Sequence, residues 1–255
     1  MNPKMIDKVR DKNPLVHHLI NYVVMNFVAN GVISFGGSPV MAMEEKEAQD
    51  IAKSADAVLL NVGTLSHENI SSMIIAGQTA NKLDNPVVLD PVGVAATSYR
   101  SQVIKHMLKK IRPTVIKGNA GEIAHLVDIP WKVKGVDSVG EGNIEEVAVK
   151  AAQKYNTNIV ITGETDIICT GKKIIQNTTG HPYLAKITGG GCLLGSIIAC
   201  CLTTDDHIED QLISAVTFYG LAAEYAASQN AVTGPGTFKA HFIDALSFPI
   251  QKLKG

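Results

Sequence analysis

The stretch Thr114–Val127, TVIKGNAGEIAHLV, passes from a β-branched apolar run into a segment of helical spacing at the step Gly118-Asn119. A continuous apolar run of this length, followed directly by an amphipathic helix, reads as a buried strand of a parallel sheet with its crossover helix. The same alternation recurs on either side. VISF is followed by EEKEAQDIAKSA, AVLLNVG by SHENISSMIIAGQTANKL, and PVVLDP by SQVIKHMLKKI. The expected fold class is therefore α/β, with a mostly parallel central sheet covered by helices on both faces. After NIVITG the pattern shortens to DIICTG, KKIIQN and YLAK, with Thr-Gly and Asn-rich turns that predict antiparallel edge strands. From Gly191 the chain reads helical to Thr204, then over Ile208–Asn230 and Thr237–Lys252, with a break at Pro249. No internal repeat or Pro/Gly/Ser linker divides it, so residues 1–255 are expected to form a single domain.

Charge and composition narrow the function. Lys plus Arg number 23 and Asp plus Glu 24, a net charge of −1, which offers no overall field for nucleic acid or an anionic membrane. The opening MNPKMIDKVRDKNP lacks the apolar core of a secretory signal, and no apolar run approaches the roughly 18 residues of a membrane span. A soluble cytoplasmic protein acting on a small molecule is expected. Cys169, Cys192, Cys200 and Cys201 show no C-x-x-C spacing, and the adjacent pair in an apolar helix suits reduced thiols. His17 and His18 are neighbours, so on a strand they face opposite sides and form no common metal site.

Open α/β sheets bind ligands beyond the carboxyl ends of their strands, here marked by Gly63, Asp90, Gly118 and Gly163. Lys186–Ser196, KITGGGCLLGS, places three glycines before an apolar helix. It is neither a dinucleotide fingerprint, which would need glycine where Leu194 stands, nor a Walker A loop, which would need lysine after Gly195. A glycine-lined helix opening can present bare N–H groups to an anion, or can serve as a tight turn. In GNAGE, Asn119 and Glu122 read as a helix-capping pair. In DPVG, Asp90 reads as a strand-terminating acid. Asp90 and Glu122, at neighbouring strand ends, are also a carboxylate pair suited to Mg²⁺ beside substrate phosphates.

NAGE resembles the N-x-x-E element of ribokinase-like kinases, and ITGGGC stands where those enzymes have a glycine-rich anion hole. PLVH, NYVVMNFVANG, GGSPVMA, VVLDPVG, IKGNAGEI, KGVDS and TGGGC together resemble the hydroxyethylthiazole kinases of thiamine salvage. The resemblance implies a ribokinase-like three-layer fold and transfer of the γ-phosphoryl of ATP, with Mg²⁺, to the primary hydroxyl of 5-(2-hydroxyethyl)-4-methylthiazole. It assigns Gly189, Gly190, Gly191 and the Cys192 N–H to phosphoryl stabilisation, and Asp90 and Glu122 to the metal. Lys117, Asn119 and Thr162 fall on the ATP side; Asn21, Met41 and the Gly189 region surround the thiazole. Cys192 takes the place of the usual aspartate base, a substitution typical of thiazole kinases, and the helix N-terminus is expected to lower its pKa. The resemblance further implies a homotrimer with the thiazole site between subunits. Pyridoxal or hydroxymethylpyrimidine kinases, ATP-dependent hydrate-repair lyases of the same fold, and a non-catalytic ATP-binding protein are the rival readings.

Overall fold

The computed structural model describes residues 2–131, 133–134, 137–138, 143–171 and 173–254. In chain order the first half comprises α1 (Pro3–Lys12), β1 (Leu15–Leu19), α2 (Met25–Phe35), β2 (Ser38–Val40), α3 (Glu45–Ser54), β3 (Ala57–Asn61), α4 (His67–Lys82), β4 (Val87–Asp90) and α5 (Ser98–Lys110). There follow β5 (Val115–Asn119), α6 (Ala120–Leu126), the two-residue strands β6 (Val133–Lys134) and β7 (Asp137–Ser138), α7 (Ile144–Tyr155), β8 (Asn158–Thr162), β9 (Asp166–Thr170) and β10 (Lys173–Asn177). A 3₁₀ turn at Pro182–Lys186 then leads to α8 (Gly190–Cys201), α9 (Ile208–Ala227), α10 (Pro235–Leu246) and α11 (Ile250–Leu253).

Eight strands form one sheet in the order β10-β9-β8-β5-β4-β3-β1-β2, with β6 and β7 paired apart from it. Pairing is parallel from β2 through β8, and antiparallel where β9 and β10 close the edge. The period of two sorts the strand side chains into two cores. Ala57, Leu59, Val115 and Val160 pack with α1, α2 and α8 to α11, whereas Val58, Leu60, Ile116 and Ile159 pack with α3 to α7. The three-layer arrangement follows directly from that sorting.

Two predicted strands are not strands. VISF lies in α2, where Phe27, Val28, Gly31, Val32 and Phe35 are buried at helical spacing; the preceding NYVVMNFVANG carries the 3.6-residue period straight into it. The strand of that region is instead Leu15–Leu19, whose two histidines disguise a run buried from Val16 onward. YLAK belongs to the 3₁₀ turn, with Pro182 fixing its first position. The break at Pro249 stands, separating α10 from α11. Of the KGVDS motif, Gly135 and Val136 lie outside the described residues. No helix among the described residues is long and apolar enough to cross a membrane.

Candidate active site

Strand register brings the polar residues into one row. Asn61 pairs with Asp90 across β3 and β4, and Asn119 with Thr162 across β5 and β8. Asn21 follows β1 and Met41 follows β2. Read along the sheet, the row runs Thr162, Asn119, Asp90, Asn61, Asn21, Met41, so the residues assigned to ATP stand at one end and those assigned to thiazole at the other.

The glycine turn closes over the middle of this row. Gly189 is the N-cap of α8 with φ +96°, a conformation that favours glycine, and a Cβ there would stand 2.9 Å from the Phe27 ring. At Gly190 a Cβ would meet the Leu184 carbonyl oxygen at 2.7 Å; at Gly191 it would stand 3.3 Å from Lys117 Nζ. The first helical hydrogen bond is donated by the Leu193 N–H to the Gly189 carbonyl, at 2.8 Å. The N–H groups of Gly190, Gly191 and Cys192 therefore have no acceptor within the helix. Gly191 brings this opening beside the Lys117 ammonium.

Lys117 Nζ lies 3.2 Å from Asp90 Oδ2, and both side chains are almost wholly withdrawn from solvent, at 5% and 1% exposure. Burial alone would lower the lysine pKa, but the charges of Asp90 and Glu122 and the hydrogen bond to Asp90, joined by Cys192 only where its thiol ionises in alkali, outweigh it and leave the ammonium above its usual range. Burial pushes the Asp90 carboxyl up, opposed by Lys117 and by the Asn61 amide, which donates to Asp90 Oδ2 at 2.9 Å. The other oxygen, Asp90 Oδ1, is buried without a hydrogen-bond partner among the described residues. Such an acceptor is costly unless something else meets it.

Asn119 and Glu122 form the predicted capping box: Asn119 Oδ1 accepts from the Glu122 N–H at 2.9 Å, and Glu122 Oε2 from the Asn119 N–H at 2.8 Å. Capping does not exhaust the glutamate, whose Oε1 accepts from the Gly93 N–H at 2.8 Å. The carboxylate thus ties the turn after β4 to the end of β5. Its pKa is raised, first by burial and then by Asp90, against the pull of Lys117 and the two amides. A cavity of about 540 Å³, lined in part by Gly93, Asn119, Glu122 and His125, reaches it.

Cys192 differs from expectation. Burial, with the Asp90 charge adding to it, pushes its thiol up to about 11, against the opposing effects of Lys117, Asn61 and Asn21. Desolvation exceeds the help of the helix N-terminus, so the side chain is a thiol at neutral pH. Asn21 Nδ2 lies 3.8 Å from its sulfur. Asn21 stands ahead of α2, whose N-cap is Val24. Met41 is half-buried against the same core as Cys192, and the adjoining Ala42 carbonyl meets His17 Nε2 at 2.8 Å. Thr162 Oγ1 donates to the Gly118 carbonyl at 3.4 Å. His17 and His18 are both interior, and burial holds His18 down at about 4, so it stays neutral.

Two residues of the site escaped the sequence reading. Asn61 bridges Asn21 and Asp90; its only signal was an amide closing the apolar run AVLL. Arg100 spans the turns after β3 and β4, donating to the carbonyls of Val62, Val92 and Gly63 at 2.7, 3.0 and 2.9 Å. Nothing in its helical surroundings marks that role.

The sequence matches the family model described as the hydroxyethylthiazole kinase family over residues 6–251. The chain belongs to the hydroxyethylthiazole kinase family. Hydroxyethylthiazole kinase 1 of Oceanobacillus iheyensis is 58% identical over 253 residues, covering 99% of this chain and 98% of that protein. Among solved structures, a hydroxyethylthiazole kinase protein from Pyrococcus horikoshii aligns over 96% of this chain and 91% of its own, at 33% identity and a TM-score of 0.84. A Bacillus subtilis pyridoxal kinase in complex with ADP, at 16% identity and a TM-score of 0.60 over 83% of this chain and 92% of its own, shares the fold. A ribokinase-like superfamily protein from Enterococcus faecalis, at 14% identity and a TM-score of 0.68 over 96% of this chain and 94% of its own, shares the fold as well.

Proposed function

We propose that this chain, acting as one domain over residues 1–255, uses ATP and Mg²⁺ to phosphorylate the primary hydroxyl of 5-(2-hydroxyethyl)-4-methylthiazole. Family membership supports the reaction. The observation that carries its placement is the seat of Gly191 beside Lys117, which is itself paired with Asp90 and so sets the glycine turn, a buried cation and a carboxylate in sequence.

Loose phosphoryl transfer needs positioning and charge neutralisation more than covalent help. The N–H groups of Gly190, Gly191 and Cys192 would take the equatorial phosphoryl oxygens, as donors already fixed in place by the helix opening. Lys117 would hold the phosphate chain as a point charge and keep Asp90 ionised. The unpartnered Asp90 Oδ1, with Glu122 nearby, fits a hard cation. Mg²⁺ is commonly held by few carboxylates together with water and substrate phosphates. When bound, Mg²⁺ would neutralise charge on the phosphates. Asn119 and Thr162 would serve the nucleotide side, and Asn21, Met41 and Gly189 the thiazole. With Cys192 a thiol, the alcohol would keep its proton until the phosphoryl group arrives.

The same reading places the protein in the cytoplasm as a trimer, with the thiazole site between copies. Tyr22, Val23 and Ile33, exposed at 60, 77 and 61% beside Asn21 and along α2, support such a contact; light scattering on the purified protein tests it. The activity is tested by offering ATP and Mg²⁺ with the thiazole alcohol, pyridoxal and hydroxymethylpyrimidine, and measuring ADP and phosphorylated product. Phosphorylation of the thiazole alcohol is expected. Turnover confined to pyridoxal or the pyrimidine, or no turnover with bound ATP, would overturn the assignment.

A further inference from the structure

The Gly63 N–H donates to Asn61 Oδ1 at 3.1 Å. A backbone amide can only donate, so this contact settles which end of the Asn61 side chain is oxygen. Oδ1 then also accepts from Asn21 Nδ2 at 3.0 Å, and Nδ2 is left to donate to Asp90 Oδ2 at 2.9 Å. The polarity of the whole row follows from one main-chain group. Asn21 must present its own NH₂ to Asn61, and that same nitrogen lies 3.8 Å from Cys192 Sγ.

The surroundings hold this arrangement in place. Asn61 is fully buried and Asn21 nearly so, so water does not stand in for a lost partner. A Cβ at Gly63 would stand 2.6 Å from Asn21 Nδ2, so a bare backbone is required for the two asparagines to meet. Arg100 fixes the Gly63 and Val92 carbonyls together, which ties the turn bearing the orienting amide to the turn that follows Asp90.

We infer that Asn61 is a positioning residue for phosphoryl transfer, linking the Asp90 carboxylate to the Asn21 amide with a fixed direction of hydrogen bonding. What the two ends bind rests on the function proposed above: the phosphate side for Asp90, the alcohol side for Asn21. An asparagine here is not replaceable by its isostere. Asn61→Asp keeps an oxygen toward Gly63 and Asn21 but turns an acceptor toward Asp90, whereas Asn61→Ala removes both contacts.

Steady-state kinetics on the two variants, with ATP, Mg²⁺ and the thiazole alcohol, test the inference. Asn61→Ala should raise the KM for the alcohol and lower kcat, each by about tenfold. Asn61→Asp should lower kcat by about tenfold or more while the KM for the alcohol stays within about twofold of the parent. A purely structural role would reduce the folded fraction and leave both KM values alone. Equal kinetic effects in the two variants, or parental constants in Asn61→Ala, would overturn it. A second readout needs no activity: unfolding midpoints of Asn21→Ala and Asp90→Asn, singly and together, should be non-additive in the parent and additive in the Asn61→Ala background. Additivity in both backgrounds contradicts the link. Should the parent phosphorylate no thiazole alcohol, the functional reading fails on its own and the midpoints decide this inference.

Discussion

Lys117 Nζ stands 3.2 Å from Asp90 Oδ2 in the interior, each the nearest opposite charge the other has. Breaking a buried pair from one side leaves an uncompensated charge. Lys117→Met should therefore destabilise the protein by about 3–5 kcal/mol and abolish turnover. Adding Asp90→Asn should return most of the stability and none of the activity. Urea denaturation of the single and double variants checks this; a double variant no more stable than Lys117→Met would contradict it.

Gly191 separates fold from chemistry. An alanine Cβ there would meet only the flexible end of Lys117, at 3.3 Å, and alanine favours the helix over glycine by about 1 kcal/mol. Gly191→Ala should thus fold at least as well as the parent. Its methyl group would nonetheless press into the space of the phosphoryl oxygens, costing about 3 kcal/mol of transition-state stabilisation, or about a hundredfold in kcat. Thermal unfolding together with kcat measures both; unchanged turnover would remove this turn from the reaction.

Cys192 should matter less than the glycines. With its thiol pushed up to about 11, no thiolate is present at neutral pH to serve as base. Cys192→Ala should slow turnover by no more than about tenfold, and Cys192→Asp should retain or raise it, since loose phosphoryl transfer asks little of a base. The parent's kcat should show no rising limb near the ordinary thiol pKa of about 8.5. Complete inactivity of Cys192→Ala with intact ATP binding would reverse this ranking.

Acid should inactivate the enzyme early. The carboxyls of Asp90 and Glu122 are both raised by burial, so the ionised forms proposed to hold the metal are lost on acidification above the ordinary carboxylate range. In the free protein the sign for stability is opposite. A raised acid pKa favours the protonated fold, so these two groups stabilise at low pH and lose that contribution as pH rises through their folded values. A kcat/KM profile flat down to about pH 4 would contradict the metal assignment.

Much of the fold was legible because a doubly covered parallel sheet writes continuous apolar strands. AVLL, PVVL, TVIK and NIVI all contribute strands to it, and Gly191 stands beside Lys117, the partner of Asp90. Leu15–Leu19 was obscured because its two histidines are neutralised by burial and main-chain contacts, which composition does not reveal. VISF has strand-like residues, yet tertiary packing of the long α2 face overrides that preference. Asn61 was invisible for another reason: its function lies in contacts to residues 40 and 29 positions away. The Cys192 pKa likewise depends on burial that only the assembled fold supplies.

The most direct test of the account is a crystal structure with a non-hydrolysable ATP analogue, Mg²⁺ and the thiazole alcohol. It should place the terminal phosphoryl group against the N–H groups of Gly190, Gly191 and Cys192, with the metal beside Asp90 Oδ1 and Glu122 and the alcohol on the Asn21 and Met41 side. Nucleotide phosphates bound away from that turn, or a metal held without either carboxylate, would contradict it.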